Sequence, residues 1–341
     1  MTSESEFIYL SQEDVRAAGL DMAKTIPTVE KVLALHDEGK VNLPSKVILD
    51  LNERERGRIN AMPAHIGGDI EICGMKWIAG FPPNPVKFGL PRAHALIILN
   101  DSWTGVPLAI MDGTYISAMR TGAVTGVGAK YLANPDSEVV GIIGCGVQAR
   151  TQILALKTAV PSVRLMKGYD VRAEAASRLA QWVSGELGIE AAAVGSAREA
   201  VADSDMIATV TLADEPIVKD SWLKKGSFFS HVGSYQEEEE AVIFNADKVV
   251  VDIWEEVLHR GTPLLAKLFQ AGKITEEKIH ANIGEIIRGK KPGRTRREER
   301  IFFSPLGLGS EDVAVAEFVY RAAKKKGLGV TLKLWDTPAI Q

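Results

Sequence analysis

The chain has 341 residues, 46% of them apolar and 25% charged, the composition of a globular protein with ample core material and length for two domains. A net charge of −4 and a pI near 6.0 give no general attraction to nucleic acid or to an anionic membrane. Two cysteines argue against a disulfide framework and a structural zinc site, and no apolar run reaches the ~18 residues of a membrane span. The opening residues lack the basic and apolar segments of a leader, which points to the cytoplasm. Taken in order, Ser11 opens a short helix as N-cap, and a longer helix over 28–38 stops at Gly39. Strand signals follow at 46–51, 57–62, 70–80, 93–100 and 106–111, an antiparallel or mixed sheet. A helix over 114–132 carries so many small residues that something packs closely against it.

From residue 139 the pattern changes. A short apolar strand runs into Gly144-Cys145-Gly146-Val147-Gln148-Ala149 and then into a helix. Gly144 and Gly146 allow a sharp turn and a close approach to a pyrophosphate, whose charge meets the N–H groups of the helix start; Ala149 stands where a third glycine is usual. The next strand, 163–169, ends at Asp170, placed to hold a ribose diol. Asp170 favours NAD, whereas Lys167 and Arg172 would attract the extra phosphate of NADP, so NADP stays possible. Cys145 reads as a small filler of the turn rather than a nucleophile. Helices at 172–186 and 197–202 and strands at 206–210, 227–232 and 248–252 continue the alternation, which implies a parallel sheet covered on both faces. Helical segments at 264–271 and 283–289, a strand at 301–303, a helix at 311–326 and a strand at 330–334 follow, the last two returning to the first domain. The basic run 288–297 and the acidic run 237–240 read most simply as solvated surface.

Several segments coincide with one family. Gly74-Met-Lys-Trp77, Gly89-Leu-Pro91, the run Asp112-Gly-Thr-Tyr-Ile-Ser-Ala-Met-Arg-Thr121, the glycine turn and Gly284-Glu285 resemble the ornithine cyclodeaminase/mu-crystallin family over about 40–328. The resemblance implies an α/β fold: a central Rossmann-type NAD(P)-binding domain, 126–304, plus an α+β substrate and dimerisation domain built from both chain ends, 1–125 and 305–341. It also implies a homodimer, and an enzyme exchanging hydride between nicotinamide C4 and the α-carbon of an amino or imino acid. Members include ornithine cyclodeaminase, amino-acid and opine-type dehydrogenases, imine reductases and a ligand-binding crystallin. No metal is implied.

By the same resemblance Arg120 clamps the substrate carboxylate, a task suited to a planar fork on a packed helix. Lys76, between Met75 and Trp77 on an apolar strand, handles the proton at the amine or imine; the plain alternative is a lysine on a solvated strand face. Lys46 stands where many members carry a second carboxylate-binding arginine. Arg92 and His94 share a strand face near the expected nicotinamide. Gly144, Gly146, Val147, Gln148, Ala149, Asp170, Arg172, Thr121, Thr209 and Gly307 are the expected cofactor residues, and Asp312 recurs close to the nicotinamide. Tyr235 replaces the aspartate that cyclodeaminases carry in a G-G-D-x-P-G-K run, so capture of an ornithine side-chain amine loses its partner; the glutamates that follow are the remaining source of a carboxylate. Cyclodeamination and crystallin-like binding are the rivals to an imino-acid reductase.

Overall fold

The small-residue helix Thr114–Leu132 is where the chain passes from one unit to the next. The structure, a computed structural model, describes residues 5–233 and 235–340 and divides after Arg120 and again after Gly307. One unit joins both chain ends; the other is Thr121–Gly307. The boundaries fall five residues before and three after those expected at 125/126 and 304/305.

In the first unit, strands lie in the order Val330–Trp335, Ser5–Leu10, Pro107–Asp112, Ala93–Asn100, Ile72–Gly80, Gly57–Ile66 and Val41–Asn42, with Val47–Leu51 also paired to Gly57–Ile66. Every pairing is antiparallel except Ser5–Leu10 with Pro107–Asp112. The final strand does return to this unit, on a first strand that the sequence did not announce. One sheet face is covered by the helix Gly309–Lys326, which also packs on Met22–Asp37. The latter begins six residues earlier than expected. Asp21 caps it by accepting from the Lys24 amide at 2.9 Å, and Pro27 is tolerated inside it while Met22, Ile26, Val29 and Leu33 are buried.

The second unit holds eight strands, all parallel, in the order Glu190–Ala193, Leu165–Tyr169, Val139–Ile143, Met206–Thr209, Phe228–His231, Ile301–Ser304, Lys248–Val251 and Ile279–Asn282. The central strands are buried along their length, as sheets covered on both faces require. Phe229 and Phe302 meet edge to face at 5.4 Å. The small residues of Thr114–Leu132 have their reason here: a Cβ on Gly122 would lie 2.4 Å from the Thr151 carbonyl oxygen, and one on Gly128 would lie 2.6 Å from Phe303. Gly141 is tighter still, its Cβ falling 2.2 Å from the Ala200 carbonyl oxygen, a backbone atom. Gly141→Ala is expected to cost about 3 kcal/mol in urea unfolding, because a packed backbone must move. A change under about 0.5 kcal/mol would contradict this packing.

The basic run is not merely solvated. Arg294 is partly buried and donates to the carbonyls of Leu132 and Glu299 at 2.8 and 2.6 Å, so it caps the carbonyl end of Thr114–Leu132. Among the described residues, no helix is long and apolar enough to cross a membrane.

Candidate active site

Two constellations emerge, one in each unit. In the first, strand pairing decides the question that surrounded Lys76. It sits opposite Met62 and Ile97, whereas Met75 and Trp77 lie in register with Pro63, Ile98, Ala61 and Leu96 on the other face. Lys76 therefore points to the helix-covered side and is 1% exposed, while Trp77 is 42% exposed. The solvated-lysine alternative is excluded by this register.

Lys76 Nζ lies 2.6 Å from Asp312 Oδ2 and donates to Ser117 Oγ at 3.2 Å. Arg120 Nε donates to Asp312 Oδ1 at 3.0 Å and Nη1 to Glu311 Oε2 at 2.9 Å. The two acids belong to the first turn of Gly309–Lys326, where Glu311 also accepts from the Leu308 amide at 3.1 Å. All four charged side chains are buried, two of each sign, so the cluster is neutral and mutually paired. Burial and the neighbouring Arg120 pull the Lys76 ammonium down to about 8, against the pull of Asp312 and Glu311. Burial works against the Arg120 charge too, but Asp312 and Glu311 hold it above its ordinary value. Two edges of the arginine fork, Nε and Nη1, are thus taken by the protein itself. Lys46 is half-buried immediately before the strand Val47–Leu51. His94 is exposed on Ala93–Asn100, but Arg92 precedes that strand, so the two do not share a strand face.

In the second unit Gly144 has φ +90° and Gly146 is the N-cap of Val147–Ala159, with no side chain capping it. A Cβ on Gly146 would meet nothing within 4 Å, and Val147 is 75% exposed, so open space faces the helix start. Asp170 accepts from the Cys145 amide at 2.8 Å and the Arg172 amide at 2.9 Å. An uncapped helix start beside room for a diphosphate and an anchored acid fits a dinucleotide. Ala149 is buried, and Gln148 accepts from the Thr151 hydroxyl at 3.2 Å. The Thr121 carbonyl accepts from Gln152 at 3.3 Å. Thr209 is fully buried in the sheet; Thr211, two residues on, is the threonine that touches the glycine turn. Gly307 donates its amide to Asp252 at 2.7 Å and has φ +80°. Lys167 turns away to the Ala202 carbonyl, while Arg172 follows Asp170 at the end of the strand and donates its amide to it. Burial and Asp170 push the Cys145 thiol up to about 12, so it fills space and is no nucleophile.

The acidic run is not a solvated face. Glu237 and Glu238 are buried, facing His231 and Thr211 rather than water. Sequence reasoning missed these two, Glu311, and Asp252. Their partners lie up to 191 residues away, a separation no local pattern reports.

The model of the ornithine cyclodeaminase/mu-crystallin family matches residues 6–327. The chain belongs to this family. An alanine dehydrogenase of Archaeoglobus fulgidus is 40% identical over 97% of this chain and 99% of its own length. The N-((2S)-2-amino-2-carboxyethyl)-L-glutamate dehydrogenase of Staphylococcus aureus is 34% identical over 97% of this chain and 99% of its own. The structure of Thermococcus litoralis Δ1-pyrroline-2-carboxylate reductase with NADH and L-proline superposes with a TM-score of 0.88, at 37% identity, over 95% of this chain and 99% of that one. The fold expected of the family, a Rossmann-like domain plus a second domain, is the one observed.

Proposed function

We propose that this protein is an NAD-dependent oxidoreductase acting at the C–N bond of an α-imino or α-amino acid, as an imine reductase or an amino-acid or opine-type dehydrogenase. The observation that carries this reading is the buried pair of cations, Lys76 and Arg120, in a chain related over nearly its whole length to enzymes of that class. The segments around them form the substrate and dimerisation domain, and the parallel sheet with its glycine turn holds the dinucleotide. Bound nicotinamide supplies or takes up the hydride at its C4. Arg120 offers its guanidinium to the substrate carboxylate, Lys46 adds a second positive charge, and Asp312 and Glu311 keep the guanidinium from turning. Lys76 gives a proton to the imine nitrogen in reduction and, as the neutral amine, takes one back in oxidation. Gly144, Gly146, Val147, Gln148 and Ala149 line the diphosphate, and Asp170 holds the ribose. Tyr235 stands in place of a carboxylate for a side-chain amine, which supports reduction over cyclodeamination. The two unpaired cysteines agree with a cytoplasmic setting. The test is loss of reduced-nicotinamide absorbance with cyclic imines and with 2-oxo acids plus amines. Consumption by one such class supports the reading, and inertness to all of them contradicts it.

A second copy of the chain is the partner that the open sheet face fits. Trp77 and Leu96 are cross-strand neighbours, 42% and 46% exposed, and Met75, Ile98 and Ile110 continue the same face. Monomers seldom leave so continuous an apolar surface in water. The double variant Trp77→Asp/Leu96→Asp is expected to halve the mass found by light scattering. Retention of the wild-type mass would show that this face is not the dimer contact.

A further inference from the structure

The loop after Phe228–His231 closes on a buried charge cluster that the reaction itself does not use. His231 is 2% exposed; its Nδ1 lies 2.5 Å from Glu238 Oε2 and its Nε2 lies 2.9 Å from the Gly233 carbonyl oxygen. Nε2 must donate to that carbonyl, so one further proton is shared between Nδ1 and the Glu238 carboxylate, whichever atom formally carries it. Glu237, fully buried, sits 3.8 Å from Nε2 and accepts from the Gly233 amide at 3.1 Å, the Thr211 amide at 2.7 Å and the Thr211 hydroxyl at 2.5 Å. The neighbouring backbones are zipped as well: the amides of Ile217 and Val218 donate to the Glu237 carbonyl at 2.9 and 3.0 Å. Thr211 is also the residue that meets the glycine turn, its Cγ2 lying 2.9 Å from where a Cβ on Gly144 would stand.

We propose that Glu237 is a positioning residue of the dinucleotide site: with the shared proton keeping the neighbouring His231–Glu238 pair neutral, its carboxylate locks Thr211 against the glycine turn. One carboxylate thereby fixes the loops that leave two adjacent strands, Met206–Thr209 and Phe228–His231, at the carboxyl end of the sheet where the glycine turn lies. Among the described residues, the groups that set the state of His231 are Glu237, Glu238 and the Gly233 carbonyl, with the Phe302 ring packed edge-on against it. Burial disfavours the imidazolium, but Glu238 and Glu237 outweigh it and push the ring up to about 9. Above that pH the shared proton leaves, two buried carboxylates face a neutral ring, and the lock on Thr211 loosens.

The inference rests on reading the glycine turn as the NAD site. Titration of NADH fluorescence with the full-length protein separates the two. At neutral pH Glu237→Gln is expected to raise the NADH Kd about tenfold, because its amide cannot accept from Gly233 and Thr211 together. The wild-type Kd is expected to hold steady from pH 7 to 8 and to rise above about 9, while the charge-matched double variant His231→Gln/Glu238→Gln shows no such rise. A merely structural cluster would alter melting but not these affinities. Unchanged affinity in Glu237→Gln, or the same pH dependence in wild type and double variant, would overturn the inference. Failure of the wild type to bind NADH at all would overturn the cofactor reading and the inference with it.

Discussion

Replacing Lys76 by methionine lowers the reductive kcat by about 10²–10⁴-fold, the usual worth of a positioned proton donor, while NADH affinity stays as in the wild type. The side chain is 1% exposed and the nearest hydroxyl, Ser117, cannot replace an ammonium as acid, so the loss is not made good by water or by a neighbour. Lys76→Arg keeps the charge but not the titration and is expected to be nearly as inactive. The pH dependence carries the sign. With the ammonium pulled down to about 8, the reductive rate falls as pH rises through about 8, and the oxidative rate rises over the same window. Stability moves too: folding is penalised while Lys76 is charged, so the stability of the wild type relative to Lys76→Met increases as pH rises from about 8 towards the ordinary lysine value of 10.5. Steady-state rates in both directions, with a melting curve at each pH, check all three. Equal midpoints in Lys76→Met and wild type would remove Lys76 from the chemistry.

Asp312→Asn is expected to cost about 3–5 kcal/mol in denaturant unfolding, because it leaves two buried cations with Glu311 as their sole acid. It also removes the group that holds the Lys76 proton on, so the pH midpoint of reduction moves below 8. Arg120→Gln works in the opposite sense. Arg120 is the neighbour that helps drive the Lys76 proton off, and its loss moves the midpoint up. The same substitution raises KM for the carboxylate substrate steeply. Opposed shifts in two variants of one cluster are hard to obtain from general loosening. Midpoints that move together would contradict the arrangement of charges described here.

How far the sequence carried can be seen in single elements. The glycine turn, the acid at the end of the following strand and the small-residue helix are local patterns, and each appears where the pattern placed it. Lys76 was legible as an oddity on an apolar strand, but only the register with Met62 and Ile97 says which face it takes. The strand Glu190–Ala193 was not legible. Its residues, Glu-Ala-Ala-Ala, favour a helix, and they are extended because the edge of Leu165–Tyr169 supplies the hydrogen bonds. Glu237 and Glu238 looked like solvated charge because sequence cannot show that a histidine six or seven residues earlier turns back to meet them. Glu311 and Asp312 needed the chain to close across 191 and 192 residues before their partners were in view.

The most direct measurement is transfer of deuterium from C4-deuterated NADH to the product of an imino-acid substrate, followed by mass spectrometry and NMR. The account predicts one deuterium on the product α-carbon, one NADH consumed per product, and transfer slowed about 10²–10⁴-fold in Lys76→Met. Conversion of ornithine to proline and ammonia, with no net loss of NADH and no deuterium passing from NADH to an imino acid, would contradict it.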